Sequence, residues 1–184
     1  MLFRSGQSQY VGPPAQYTES NADPTTFMAS TLQCTPFYQD WSTVSLLHVT
    51  GEMILPSSSY DVESLASSCM GNEETCTAVS APLRIVTTRW GDVETPYSPP
   101  LPSGQPNLGD IGALVNKFKG LLGAPIKARA LLAGINLRGD INIAPDVSFN
   151  HISACNDAFQ GKPDRKSTRL NSSHIQKSRM PSSA

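Results

Sequence analysis

Short runs of β-branched and aromatic residues, broken by clusters of Pro, Gly, Ser and Asn, make up the chain as far as Arg89. That spacing marks an all-β module, in which turn residues separate short strands. The runs predict strands over residues 10–11, 27–33, 44–50, 60–65 and 83–88. In the last two, Tyr60 and Val62, then Leu83 and Ile85, alternate with Asp61, Glu63 and Arg84. Alternation at period two places one face in a core and the other in water, as the strands of a β-sandwich require.

Beyond Gly91 the period changes from two to helical, and the chain repeats itself. Gly91 and Asp92, then Asn107 through Asp110, Ile111, Phe118 and Gly120, align with Gly139 and Asp140, then Ser148 through His151, Ile152, Phe159 and Gly161. The offset is a constant forty-one residues from Asp110 onward. Ile111, Leu114, Val115 and Phe118 fall on one helical face, as do Ile152, Cys155 and Phe159, and each run stops at a Gly suited to a left-handed cap. Phe118 and Phe159 are therefore expected to pack the two helices together, with Cys155 in the buried apolar place that Leu114 holds in the first copy. Between the copies, residues 124–133 (APIKARALLA) predict a linking helix, with Pro125 placed to start it and Gly134 to end it.

Charge acquires meaning only once the two ends are considered. The stretch 164–184 (DRKSTRLNSSHIQKSRMPSSA) resembles the in-frame read-through of a common sequencing adapter, and 1–5 (MLFRS) resembles the opposite adapter. On that resemblance both ends are set outside the fold, with the tail disordered, and the interior 6–163 is taken as a fragment whose true start is missing. The whole chain carries a net charge of −1, whereas the interior holds eight Lys or Arg against fourteen Asp or Glu, a net of −6. No basic stripe survives, which excludes nucleic acid as the expected partner. No apolar run approaches the roughly 20 residues needed to span a bilayer.

Four cysteines, Cys34, Cys69, Cys76 and Cys155, stand in a chain poor in Lys and rich in Ser, Thr and Pro, which points to an extracellular or cell-surface setting. Cys69 and Cys76 bracket the polar loop MGNEET, where a disulfide contributes about 2–4 kcal/mol. Free thiols and metal ligands are the competing readings; His48 is the only histidine in this half and no CxxC occurs. Catalysis has no support. The interior lacks GxSxG, HExxH and a Gly-rich phosphate loop, and its histidines, His48 and His151, fall in a predicted strand and at a helix start.

Two family resemblances organise these observations. Ile54, Pro56 and Tyr60, within ILPSSSY, resemble the tyrosine corner of fibronectin type III domains, and 81–88 (APLRIVTT) looks like the last strand of such a domain. The resemblance covers Val44 to Thr88. It implies a Tyr60 ring buried in the core with its hydroxyl bonded to backbone across the corner, in a sandwich segment over 6–90 that is incomplete upstream.

The order loop, helix, linking helix, loop, helix over 91–163 resembles the dockerin family, whose paired calcium loops are similar to EF-hands lacking the entering helix. That family places oxygen ligands at the first, third, fifth, ninth and twelfth loop positions, since Ca²⁺ takes six to eight oxygens. In the second loop Asp140 and Asn142 fit the first and third positions and Ser148 the ninth, but Ala144 offers no oxygen, Pro145 replaces the turn Gly and His151 stands where the closing carboxylate belongs. The first loop keeps Asp92, Glu94, Asn107 and Asp110 in fitting roles, though it spans nineteen residues against twelve. The resemblance thus implies calcium in the first loop alone; the alternative is that both loops hold the helices together by caps and packing, with Asp110 and Asn150 serving near the N-termini. It further implies docking onto a cohesin-like partner through helix surfaces beside Asn116, Lys117 and Lys119, or Asn156 and Asp157. The expected protein is a non-catalytic extracellular binding or structural module; the alternative is an accessory spacer of a larger secreted hydrolase.

Overall fold

The computed structural model describes residues 2–4, 7–20, 22–44, 46–51, 53–95, 106–132 and 146–162. The candidate ligands Asp140 and Asn142, Gly134, and the tail 164–184 lie outside the described residues.

Among the described residues seven strands and three short α-helices follow one another: β1 (Leu2–Arg4), β2 (Gln7–Val11), β3 (Ala15–Thr18), β4 (Thr26–Gln33), β5 (Leu47–Thr50), β6 (Ser59–Val62), β7 (Leu83–Val86), α1 (Leu108–Phe118), α2 (Lys127–Ala130) and α3 (Phe149–Phe159). The strands form two antiparallel groups, β2-β1-β6-β7 and β3-β4, joined because β4 also pairs β2, and the whole is compatible with a β-sandwich-like arrangement. β2 and β3 lie end to end along β4. Pro13 and Pro14 have no N–H to give the ladder, so pairing breaks there, and Ser30 fills the gap by donating its hydroxyl to Gly12 O at 2.7 Å. β5 joins β4 in parallel, a pairing that the alternation of side chains does not reveal. Leu2–Arg4 runs between β2 and β6 although the adapter resemblance set it aside; backbone pairing asks only for an extended segment beside an open edge.

The main core straddles the expected boundary after residue 90. Tyr17 and Ala29 from β3 and β4 pack with Val93, with Ala113 and Leu114 of α1, with Ala130 and Leu131 of α2, and with Val147 and Cys155 near and on α3. Helices of eleven residues and fewer bury too little against one another, so the sheet supplies the surface they cover. Beside this core, Tyr17, Phe27 and His48 form a tilted aromatic group with centroids 5.3–5.9 Å apart, and the Tyr17 hydroxyl lies 2.6 Å from His48 Nδ1.

A buried charge cluster fastens the same junction. Glu19, at the end of β3, accepts hydrogen bonds from Lys117 Nζ of α1 and from the Lys127 backbone N–H at 2.5 Å. Lys127 Nζ in turn reaches Thr18 O and Asp146, both at 3.2 Å. Once buried, such charges hold only as a set, because removing one leaves another unpaired away from water.

At the far end, Tyr60 is buried. Its hydroxyl accepts from Leu55 N–H at 2.7 Å and donates to Met53 O at 3.1 Å, tying the corner Met53 to Pro56 onto β6. Cys69 and Cys76 are joined in a disulfide, while Cys34 and Cys155 are free thiols. One expectation fails here. Leu83 and Ile85 were expected on a buried face, yet every residue of β7, the last strand of its sheet, is exposed.

Candidate functional site

The repeat after Gly91 is present as geometry. α1 and α3 are each eleven residues long, begin and end forty-one positions apart, and pack against one another. Both stop at a left-handed glycine, Gly120 at φ 69° and Gly161 at φ 75°. Both begin at a polar cap, Asn107 and Ser148. Asn107 forms a complete capping box: its side chain accepts from Gly109 N–H at 2.6 Å while Asp110 accepts from Asn107 N–H at 2.9 Å.

The buried faces lie one position round from the expected ones. Asp110, Ala113 and Leu114 are buried on α1, and His151, Cys155 and Ala158 on α3. Phe118 and Phe159, expected between the helices, are instead 54% and 45% exposed, and the first helical residues Leu108 and Phe149 are 71% and 72% exposed. The cause is polar. Asp110 and His151 turn inward to satisfy backbone donors of the preceding segments, and that rotation carries the terminal Phe side chains outward. Lys117, expected on the docking surface, is buried against Glu19, its side chain only 8% exposed.

Asp110 closes the first loop. Its Oδ1 accepts from Val93 N–H at 2.8 Å and Glu94 N–H at 3.1 Å, and its Oδ2 from Asn107 N–H. His151, the equivalent residue, accepts from Leu132 N–H on Nδ1 at 3.0 Å. Burial holds its pKa below the ordinary histidine value, which favours the neutral ring that an acceptor nitrogen requires. Cys155 donates its thiol to Gly91 O at 3.4 Å, and burial, then Asp110 and Asp92, push its pKa up to about 12, so it stays protonated and inert. Gly91 sits at φ +88°, where an added Cβ falls 2.7 Å from Ala158 Cβ; the loop passes α3 too closely for a side chain.

These positions fit a calcium cradle poorly. A closing carboxylate must offer its oxygens to the cation. Here both oxygens of Asp110 are engaged by backbone donors, and Asn107 Oδ1 is engaged by Gly109. Asp92 is buried beside the loop and Glu94 is exposed. Among the described residues no group of three or more His, Cys, Asp or Glu is placed to hold a metal ion. Among them, too, no helix is long and apolar enough to cross a membrane.

The described residues form a β-sheet body capped by a duplicated helix pair with apolar side chains displayed at matching positions. No family model, curated protein or solved structure matches the chain.

Proposed function

We propose that the chain is a non-catalytic extracellular binding module that docks a protein partner on the exposed ends of its paired helices. One observation carries this reading: Leu108 and Phe149, then Phe118 and Phe159, occupy equivalent positions on α1 and α3 and face solvent at both. Large apolar groups exposed as a set mark interaction surfaces, and aromatic anchors dominate such interfaces. The Cys69–Cys76 disulfide supports an oxidising compartment.

In this reading hydrogen bonds through Asp110 and His151, rather than a cation, close the two loops. Calorimetric titration of the full chain with calcium chloride is expected to give no binding heat. A cohesin-type domain is the partner class to try first. Its binding heat is expected to be present and to vanish in the Leu108→Ser/Phe149→Ser variant with the circular dichroism spectrum unchanged. No heat with any of a panel of such domains, with and without calcium, removes the cohesin-type reading.

A further inference from the structure

β7 ends its sheet with an uncovered edge. Leu83, Ile85 and Val86 are 63%, 46% and 50% exposed, and among the described residues β6 is its only neighbour. An apolar edge of this kind is a template for another strand.

The ladder says which groups point outward. Thr87 N–H donates to Ser58 O at 2.9 Å while Ser58 N–H is taken by the Thr87 hydroxyl, so the backbone bond flanks the Ser59–Val86 pair and marks it as a non-bonded pair. Hydrogen-bonded and non-bonded pairs alternate along an antiparallel ladder. Tyr60 with Ile85 and Val62 with Leu83 therefore bond inward, whereas Arg84 and Val86 turn their N–H and C=O groups toward the open edge.

We infer that β7 pairs with β7 of a second copy of this chain, in an antiparallel two-fold dimer centred on Ile85. Residues 84 and 86 are two apart, so a rotated copy sets Arg84 against Val86 of its partner and Val86 against Arg84, and each outward donor meets an outward acceptor. The same register keeps the faces matched, with Ile85 beside Ile85 on the axis. Charge does not oppose it, because each Arg84 is held by its own Asp61 through two contacts of 2.9 Å. A four-residue edge buries well under the roughly 1,200 Å² of a standard stable interface, so the dimer belongs to the weak, concentration-dependent class.

Sedimentation equilibrium of the full chain from low micromolar to near-millimolar concentration tests this. The average mass is expected to rise toward two copies and stop there. Val86→Pro deletes two outward donors per dimer and no bond to β6, so it is expected to weaken association about tenfold with an unchanged melting curve. Ile85→Lys places like charges on the axis and is expected to give a monomer at low salt that regains dimer as salt is added. Leu122→Ser, at an exposed apolar site on another surface, is expected to change nothing. A mass that never leaves one copy, growth beyond two copies, or association that Val86→Pro leaves undiminished overturns the inference.

Discussion

The two copies of the repeat arrive at one geometry through different chemistry. In the first, an anionic carboxylate gathers three backbone N–H groups from the loop ahead of its helix. In the second, a neutral imidazole accepts from the Leu132 N–H. The shared requirement is an acceptor at the third position of the helix that can reach back and hold the incoming chain. Charge is an elaboration of that role in the first copy. The histidine that stands where the first copy has a carboxylate serves well as a hydrogen-bond acceptor in a buried place.

That difference sets the scale of what each residue supports. Asp110→Ala leaves three N–H groups without their acceptor, two of them bonded to the same oxygen, and is expected to cost about 3–5 kcal/mol in urea unfolding. A cost below that of His151→Ala would break the comparison, because it would mean the loop finds other acceptors or water. Gly91→Ala is expected to cost about 2–4 kcal/mol, from the positive φ and the collision with Ala158 together. It tests whether the first loop is pinned against α3 as closely as it is against Asp110.

His151→Ala, losing one neutral acceptor, is expected to cost about 1–3 kcal/mol. The second copy also carries a pH signature. Burial lowers the pKa of His151 in the folded chain, and burial foremost lowers that of His48 as well. The unfolded chain then binds more protons as pH falls through about 6.5. Stability from both residues is complete above that value and is lost as pH drops toward the folded pKa values. Unfolding midpoints between pH 8 and 5 should fall on the acid side, and the fall should be shallower in His151→Ala. An identical slope in that variant would assign the whole effect to His48.

The elements were legible in the sequence to different depths. Hydrophobic runs located β4 and β7 within two residues at either end, and β2, β5 and β6 within three, because each carries β-branched or aromatic residues. β3 escaped, since Tyr17 is its single large apolar residue and proline precedes it. The forty-one-residue offset placed α1 and α3 at equivalent positions, because the stopping glycines repeat with it. The linking helix shrank to the single turn Lys127–Ala130, where Lys127 is drawn inward to Thr18 and Asp146. What periodicity could not convey was the partner of each face. Leu83 and Ile85 alternate as core residues do, yet lie at a sheet margin; Glu19 and Lys117 look like surface charges, yet meet across ninety-eight residues to fasten helix to sheet.

The smallest expected effect belongs to the pair that the sequence pattern ranked highest for packing. Hydrophobic residues at the last position of two equivalent helices suggest a contact, and a buried Phe lost to a small residue costs about 3–5 kcal/mol. Phe118 and Phe159 are exposed instead, so Phe118→Ser and Phe159→Ser should each shift stability by no more than about 0.5 kcal/mol, as surface substitutions do. Matched urea curves for the two variants decide it. A loss of several kcal/mol in either would return that side chain to the helix interface and remove it from the docking surface. Near-neutral curves in both would leave binding, rather than folding, as the reason for two exposed phenylalanines at equivalent positions.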